Sequence, residues 1–335
     1  MKELLKIPDN YHVLWMHGGG HGQFAAVPLN FAVNGKADYC DTGMWARRGG
    51  DEAKKFVDVN YLGPFDHSIP PMSQWGYRKD ADYLYLCLNE TVSGIELLDD
   101  LEVPKDAPPL VVDATSTLLS RPIDVTKYGC IFAASGKNLG PAGVTCVIVR
   151  ADLLERPAHD LCPSILDYRC LAFSAMPNIY NTPPVFQLYM VDKILDWHQE
   201  LGGMEAVALR AKDRADKLYD IIDKSGGFYV NTIRKEFRSR MHVCFQIHTD
   251  GSCNDDLQRK FSKDAEKVGI LQLFNNPSFS PVSGLRISLY NGLEDDAVKA
   301  VGIFLQDFAQ KHFSNDKSDL QTFTAHSLHT PAIVA

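Results

Sequence analysis

Apolar and polar positions follow two rhythms along this chain. Short apolar runs at 13–16, 83–88, 110–112, 130–132 and 144–149 predict strands. The first run is followed by Gly18-Gly-Gly-His-Gly22 and by a helical pattern over about 23–33. Strands alternating with amphipathic stretches in this way predict an α/β fold, a mostly parallel sheet with helices on both faces. Residues 61–82 are rich in Pro, Ser and aromatics, lack periodicity and read as a loop. Pro183-Pro184 opens a helix that runs through His198 and ends near Gly202-Gly203, and a second helix from Met204 to about Ser225 is stopped by Gly226-Gly227. Beyond Phe228 the order is strand (241–247), helix (255–268), strand (285–290) and helix (294–313), a smaller α+β unit. The expected organisation is a large α/β domain over 1–200, a small α+β domain over 201–313, and a tail over 314–335. The tail carries Ser, Thr and His without periodicity and reads as disordered.

Composition narrows the function classes. The chain has 335 residues, 45% hydrophobic and 23% charged, which is ordinary for a globular protein. A formal net charge of -8 argues against nucleic acid or an anionic membrane as the main partner. No apolar run approaches the roughly 20 residues that span a bilayer. The first ten residues carry no apolar signal core. The eight cysteines form no Cys-x-x-Cys pair, and several lie in strand-like runs, so they read as free buried thiols in the cytoplasm and not as a metal site.

Three segments carry candidate chemistry. Lys137 sits between two apolar runs in a turn of Ser135, Gly136, Asn138 and Gly140, with no acidic residue within ten positions on either side. In an apolar pocket a lysine amine is disfavoured as a cation and becomes a usable nucleophile, able to form a Schiff base with an aldehyde cofactor. A surface turn lysine fits the segment as well. The glycine run 18–22 lies between strand and helix, where backbone N–H groups and a helix N-terminus suit a phosphate. A tight strand-to-helix turn is the plainer alternative, and the spacing matches no nucleotide-binding fingerprint. Asp113 ends an apolar strand, where a carboxylate either faces the ligand crevice of an open α/β sheet or caps a turn. Phosphate cradle, strand-end acid and turn lysine about two dozen residues later are together the parts of a pyridoxal phosphate site.

Five further segments make the pattern familiar: Gly19 to Asn30, Asn89-Glu-Thr-Val-Ser-Gly94, Leu119 to Val125, Gly136-Lys-Asn-Leu-Gly-Pro-Ala-Gly143 and Tyr180-Asn-Thr-Pro-Pro184. From about Leu4 to Phe313 the chain resembles the phosphoserine aminotransferases, class V members of the fold type I pyridoxal phosphate-dependent transferases. The resemblance implies pyridoxal 5'-phosphate as cofactor and a ping-pong exchange of an amino group between glutamate and 3-phosphohydroxypyruvate, in L-serine biosynthesis. It also implies roles for residues. Lys137 matches the Schiff-base lysine and proton carrier, and Asp113 the acid facing the pyridine nitrogen. Trp45 matches the indole stacked on the ring, and Thr91 the hydroxyl near the phenolic oxygen. Gly20 and His21 match phosphate-cradle positions. Asn181 and Thr182 match the pair that reaches the phosphate of the other subunit, so a homodimer with shared sites is implied. Arg286 matches the arginine that holds the substrate α-carboxylate, a task suited to a bidentate guanidinium.

Four departures from that family stand out. The chain starts after a leading segment that contains a Gly-Pro-Ala stretch and a substrate-binding Ser-His-Arg motif. Gly136 replaces a glutamine that binds the cofactor phosphate. The His-Arg pair that grips the substrate phosphate is absent between Leu273 and Gly284, and His21 stands where bacterial members often carry arginine. Arg234, Lys235, Arg238 and Arg240 form a basic stretch that either compensates or is a solvated loop. Two alternatives to the phosphoserine reaction follow: an aminotransferase for another 2-oxo acid, and a paralogue that acts as a non-catalytic partner subunit.

Overall fold

The apolar runs of the first half assemble into one sheet, with Asp113 at the end of one strand and Lys137 in the turn after its neighbour. The computed structural model describes residues 1–273 and 284–313, and the chain divides into two units, 1–90 with 95–208, and 91–94 with the residues from Leu209 onward. The first unit contains β1 (Tyr11–Met16), α1 (Gly19–Phe31), β2 (Lys36–Cys40), α2 (Met44–Ala53), β3 (Asp58–Leu62), β4 (Tyr83–Cys87), the short ribbon β5 (Asn89–Glu90) and β6 (Ile95–Glu96), β7 (Leu110–Asp113), β8 (Cys130–Ala134), β9 (Thr145–Arg150), α3 (Tyr168–Ala172) and α4 (Val185–Glu200). Helix α5 (Gly203–Asp223) follows, and the change of unit falls inside it, after Ala208.

The sheet order is β1-β9-β8-β7-β4-β2-β3. Strands β8, β7, β4, β2 and β3 pair in parallel, while β9 is antiparallel to both β8 and β1. Six of the seven strands therefore point the same way, and their carboxyl ends share one edge. Every residue of β4, β7 and β8 is buried, which explains their unbroken apolar runs. In the core, Tyr39 stacks on Tyr85 at 4.5 Å between centroids, and the Tyr39 and Tyr83 hydroxyls are 2.9 Å apart.

Sequence periodicity did not bring out β2, α2 or β3. Strand β2 reads Lys-Ala-Asp-Tyr-Cys, and its Asp38 is fully buried. That charge is matched by Arg78, whose Nε donates to Asp38 Oδ1 at 2.7 Å and whose amide donates to Oδ2 at 2.6 Å. A buried ion pair between residues distant in sequence leaves no local apolar signature. Helix α1 also starts earlier than the expected Gln23. Gly18 and Gly19 take positive φ (96° and 62°), and the glycine run itself folds into the first turn.

The second unit holds β10 (Tyr229–Val230), β11 (His242–Thr249), β12 (Ser252–Cys253), α6 (Asp255–Lys267), β13 (Leu285–Ser288) and α7 (Asp295–His312). Its sheet is antiparallel, with β10, β12 and β13 all paired to β11. Phe261 of α6 is central to its core, in ring contact with Tyr229, Phe245, Phe304 and Phe308. The tail 314–335 and most of the segment expected to lack the His-Arg pair lie outside the described residues.

Candidate active site

The carboxyl edge of the sheet collects the ends of β1, β2, β4, β7 and β8, the place where open α/β sheets bind ligands. Lys137 follows β8 in a turn closed by Ser135 N to Val144 O (2.8 Å), Val144 N to Ser135 Oγ (3.0 Å) and Gly136 N to Gly140 O (2.5 Å). The lysine is half-buried, and its Nζ donates to Ser116 Oγ at 2.8 Å. Ser116 is buried just beyond β7, and its hydroxyl lies 3.4 Å from the carbonyl of Asn89, the first residue of β5. Gly136 has φ 105°, a conformation that side-chain-bearing residues rarely adopt. A Cβ there would meet Ala142 Cβ only at 3.5 Å, so backbone conformation and not lack of space favours glycine over glutamine.

Asp113 is the last residue of β7, hydrogen-bonded in the sheet next to β8, and is 6% exposed. Burial pushes its carboxyl above the usual range. The Thr115 side chain and amide, together with Lys137 and His21, oppose that rise. Thr115 N donates to Oδ1 at 2.9 Å. Among the described residues Asp113 forms no ion pair. A buried acid of this kind suits a cationic ring nitrogen brought in by a ligand.

Gly18 is the N-cap of α1 and offers no side chain to the helix, so the amides of Gly19, Gly20 and His21 are first-turn donors without intrahelical acceptors. A Cβ on Gly18 would come within 3.3 Å of Gly22 Cα. The His21 side chain is exposed, and its ring meets the edge of Trp45 at 6.0 Å between centroids. Trp45 is the second residue of α2, after β2, and the Arg48 guanidinium lies 5.3 Å from its ring centre. Glycine cradle, indole, buried acid and turn lysine thus fit a phosphorylated aromatic aldehyde in their chemistry.

Asn181 and Thr182 are exposed in the first unit, where the Thr182 carbonyl is 3.2 Å from His17 Nε2. Thr91 and Arg286 come together in the second unit, Arg286 Nη1 donating to the Thr91 carbonyl at 3.0 Å. Within the basic stretch, Lys235 and Arg238 are each 2.8 Å from Asp223 carboxylate oxygens, and Arg234 is exposed. Among the described residues no cluster of His, Cys, Asp and Glu could hold a metal, and no helix is long and apolar enough to cross a membrane.

Two residues escaped sequence reasoning. Ser116 stands within the segment that carries Asp113, but the β7 turn is what brings it to Lys137. Glu90 is fully buried and touches the helix that carries Trp45. A lone acid between an apolar strand and Thr-Val-Ser-Gly was the available signal.

Known proteins resemble this chain along most of its length. The family model for aminotransferase class-V matches residues 1–263. The phosphoserine aminotransferase of Laribacter hongkongensis is 40% identical over 318 residues, covering 93% of this chain and 84% of the relative. That of Azotobacter vinelandii is 41% identical over 317 residues with the same coverage. A phosphoserine aminotransferase structure from Bacillus circulans subsp. alkalophilus superposes with a TM-score of 0.85 at 34% identity, over 92% of this chain and 84% of that one. The structure of PLP-bound phosphoserine aminotransferase from Trichomonas vaginalis gives 0.83 at 37% identity, over 91% and 85%. The chain belongs to the phosphoserine aminotransferase family of class-V, pyridoxal phosphate-dependent aminotransferases.

Proposed function

We propose that this aminotransferase exchanges the amino group of phosphoserine with 2-oxoglutarate, running toward phosphoserine in L-serine biosynthesis. The observation that carries the reading is the grouping of Lys137, Ser116 and Asp113 at the shared ends of β7 and β8. The bound cofactor supplies an aldehyde carbon for amine exchange and a ring that withdraws electrons. Lys137 Nζ is the one amine in this group, and it takes and returns the proton at the substrate α-carbon. Ser116 Oγ holds that amine in place. Asp113, ionised against a cationic partner, keeps a proton on the ring nitrogen. The first-turn amides of α1 hold the cofactor phosphate, as helix N-termini do for anions. Trp45 covers the ring and excludes water, and Arg286 grips the substrate carboxylate.

A homodimer is part of the reading. Tyr180, Val185, Phe186 and Tyr189 are exposed around Asn181 and Thr182, an apolar setting suited to a second copy. A cytoplasmic location is supported by eight cysteines, all free.

The test compares kcat/KM for phosphoserine with that for serine and other unphosphorylated amino acids. A preference below about tenfold would overturn the substrate and favour another 2-oxo acid. The Lys137→Ala variant should lose both the absorption band of the lysine Schiff base and turnover. Persistence of the band would refute the lysine's role.

A further inference from the structure

Glu90 is the last residue of β5 and is 0% exposed. Its Oε2 accepts the Trp45 amide at 3.0 Å, and its Oε1 accepts the Ala46 amide at 2.8 Å. Thr42 Oγ1 donates to Oε1 at 3.4 Å. These amides belong to the first turn of α2, whose own N-cap, Gly43, has no side chain to offer. Gly43 sits at φ 152°, and a Cβ on it would stand 3.0 Å from Glu90 Cδ. The glycine therefore leaves the space that the carboxylate fills. A helix start normally capped from within is capped here from another strand, and the residue at that start is Trp45.

We infer that Glu90 is a positioning residue: by clamping the first turn of α2 it fixes the indole of Trp45 where the cofactor ring is received. The inference rests on the reading of Trp45 as the ring-stacking residue. An ionised carboxylate accepts both amides with charge-assisted bonds and faces the positive end of the helix dipole. A neutral carboxyl keeps fewer acceptor sites and no charge. Burial pushes Glu90 up to about 7, against the opposing pull of the Trp45 and Ala46 amides, so both forms are reached near neutrality. The ionisable groups facing it are Asp113 from β7, Tyr85 and Cys87 from β4, and Arg47 from α2. The clamp tightens as pH rises through that range.

The experiment measures cofactor dissociation by absorbance, amide hydrogen exchange over 44–47 in cofactor-free protein at pH 6 and pH 8 (corrected for intrinsic rates), and kcat at saturating cofactor. Wild type should protect this turn more at pH 8 than at pH 6. Glu90→Gln should abolish that difference and weaken cofactor binding about tenfold, the loss expected of one charge-assisted bond, while kcat at saturation falls less than about threefold. Gly43→Ala, which displaces the carboxylate from the opposite side, should reproduce this pattern and serves if the first variant folds poorly. Trp45→Ala is the reference. If it weakens cofactor binding and both Glu90→Gln and Gly43→Ala bind like wild type, the positioning role is overturned. If Trp45→Ala leaves binding unchanged, the ring-stacking reading fails instead.

Discussion

Tyr168→Phe tests how α1, and with it the glycine cradle, is held on the sheet. Tyr168 OH donates to Gln23 Oε1 at 2.7 Å, and both side chains are fully buried. Gln23 Nε2 in turn donates to Met16 Sδ of β1 at 3.6 Å. Burial raises the Tyr168 phenol well above its usual range, so it stays a neutral donor at any working pH. Phenylalanine removes the bond and leaves Gln23 Oε1 buried without its donor. A net hydrogen bond contributes about 1 kcal/mol, and an orphaned buried acceptor raises the total loss to about 1–3 kcal/mol. At about 2–4 °C per kcal/mol for a unit of this size, the thermal midpoint of the first unit's transition should fall by roughly 2–12 °C. Gln23→Leu should cost a similar amount by orphaning the phenol. The double variant, which removes both partners, should recover at least half of the summed loss, because no polar group is then left unmatched. Calorimetry at fixed protein and cofactor concentration reads all four proteins. Strict additivity, or a single-variant shift under about 1 °C, would refute the reasoning.

Other outcomes follow from the same geometry. Ser116→Ala removes an acceptor of Lys137 Nζ and should slow cofactor attachment about tenfold in stopped-flow absorbance with little change in thermal midpoint. Gly50→Ala places a Cβ 2.5 Å from the Tyr61 hydroxyl. The overpacking of about 1–3 kcal/mol should outweigh the helix-propensity gain of about 1 kcal/mol, giving a lower midpoint by calorimetry. Glu90→Gln should also change the pH profile of stability. With its folded pKa raised from 4.5 to about 7, wild-type Glu90 contributes stability that is full below about 4.5 and lost as pH rises through about 7. The variant lacks this loss, so its global stability relative to wild type should improve from pH 5 to pH 8 in denaturant titrations, whereas local release of the α2 turn, which leaves Glu90 buried and removes only the amides that lower its pKa, becomes harder over the same range. Arg286→Lys should raise KM for the amino acid at least about tenfold and lower kcat less, because a point charge replaces a planar fork.

Residue pattern alone made much of this molecule legible. Strands β4, β7, β8 and β9 are read directly because each is buried on both faces, so their apolar runs need no partner information. Helices α4 to α7 are read from amphipathic spacing and from their glycine and proline boundaries. Lys137 and Asp113 are legible because an isolated lysine in a Gly-rich turn and an acid at the end of an apolar strand are locally anomalous. Strand β2 is not legible, since buried Asp38 depends on Arg78 from a distant loop. Glu90 and Ser116 fall in the same class, their chemistry being set by groups that the chain delivers from elsewhere. Which residues are apolar, where the chain turns and which side chains carry unusual chemistry are properties of short segments, and the sequence by itself determines them. Which carboxylate caps α2, which hydroxyl holds Lys137 and which charge answers Asp38 depend on distances between segments. Only the tertiary structure decides those, because hydrogen bonds and buried charges act over about 3 Å regardless of separation along the chain.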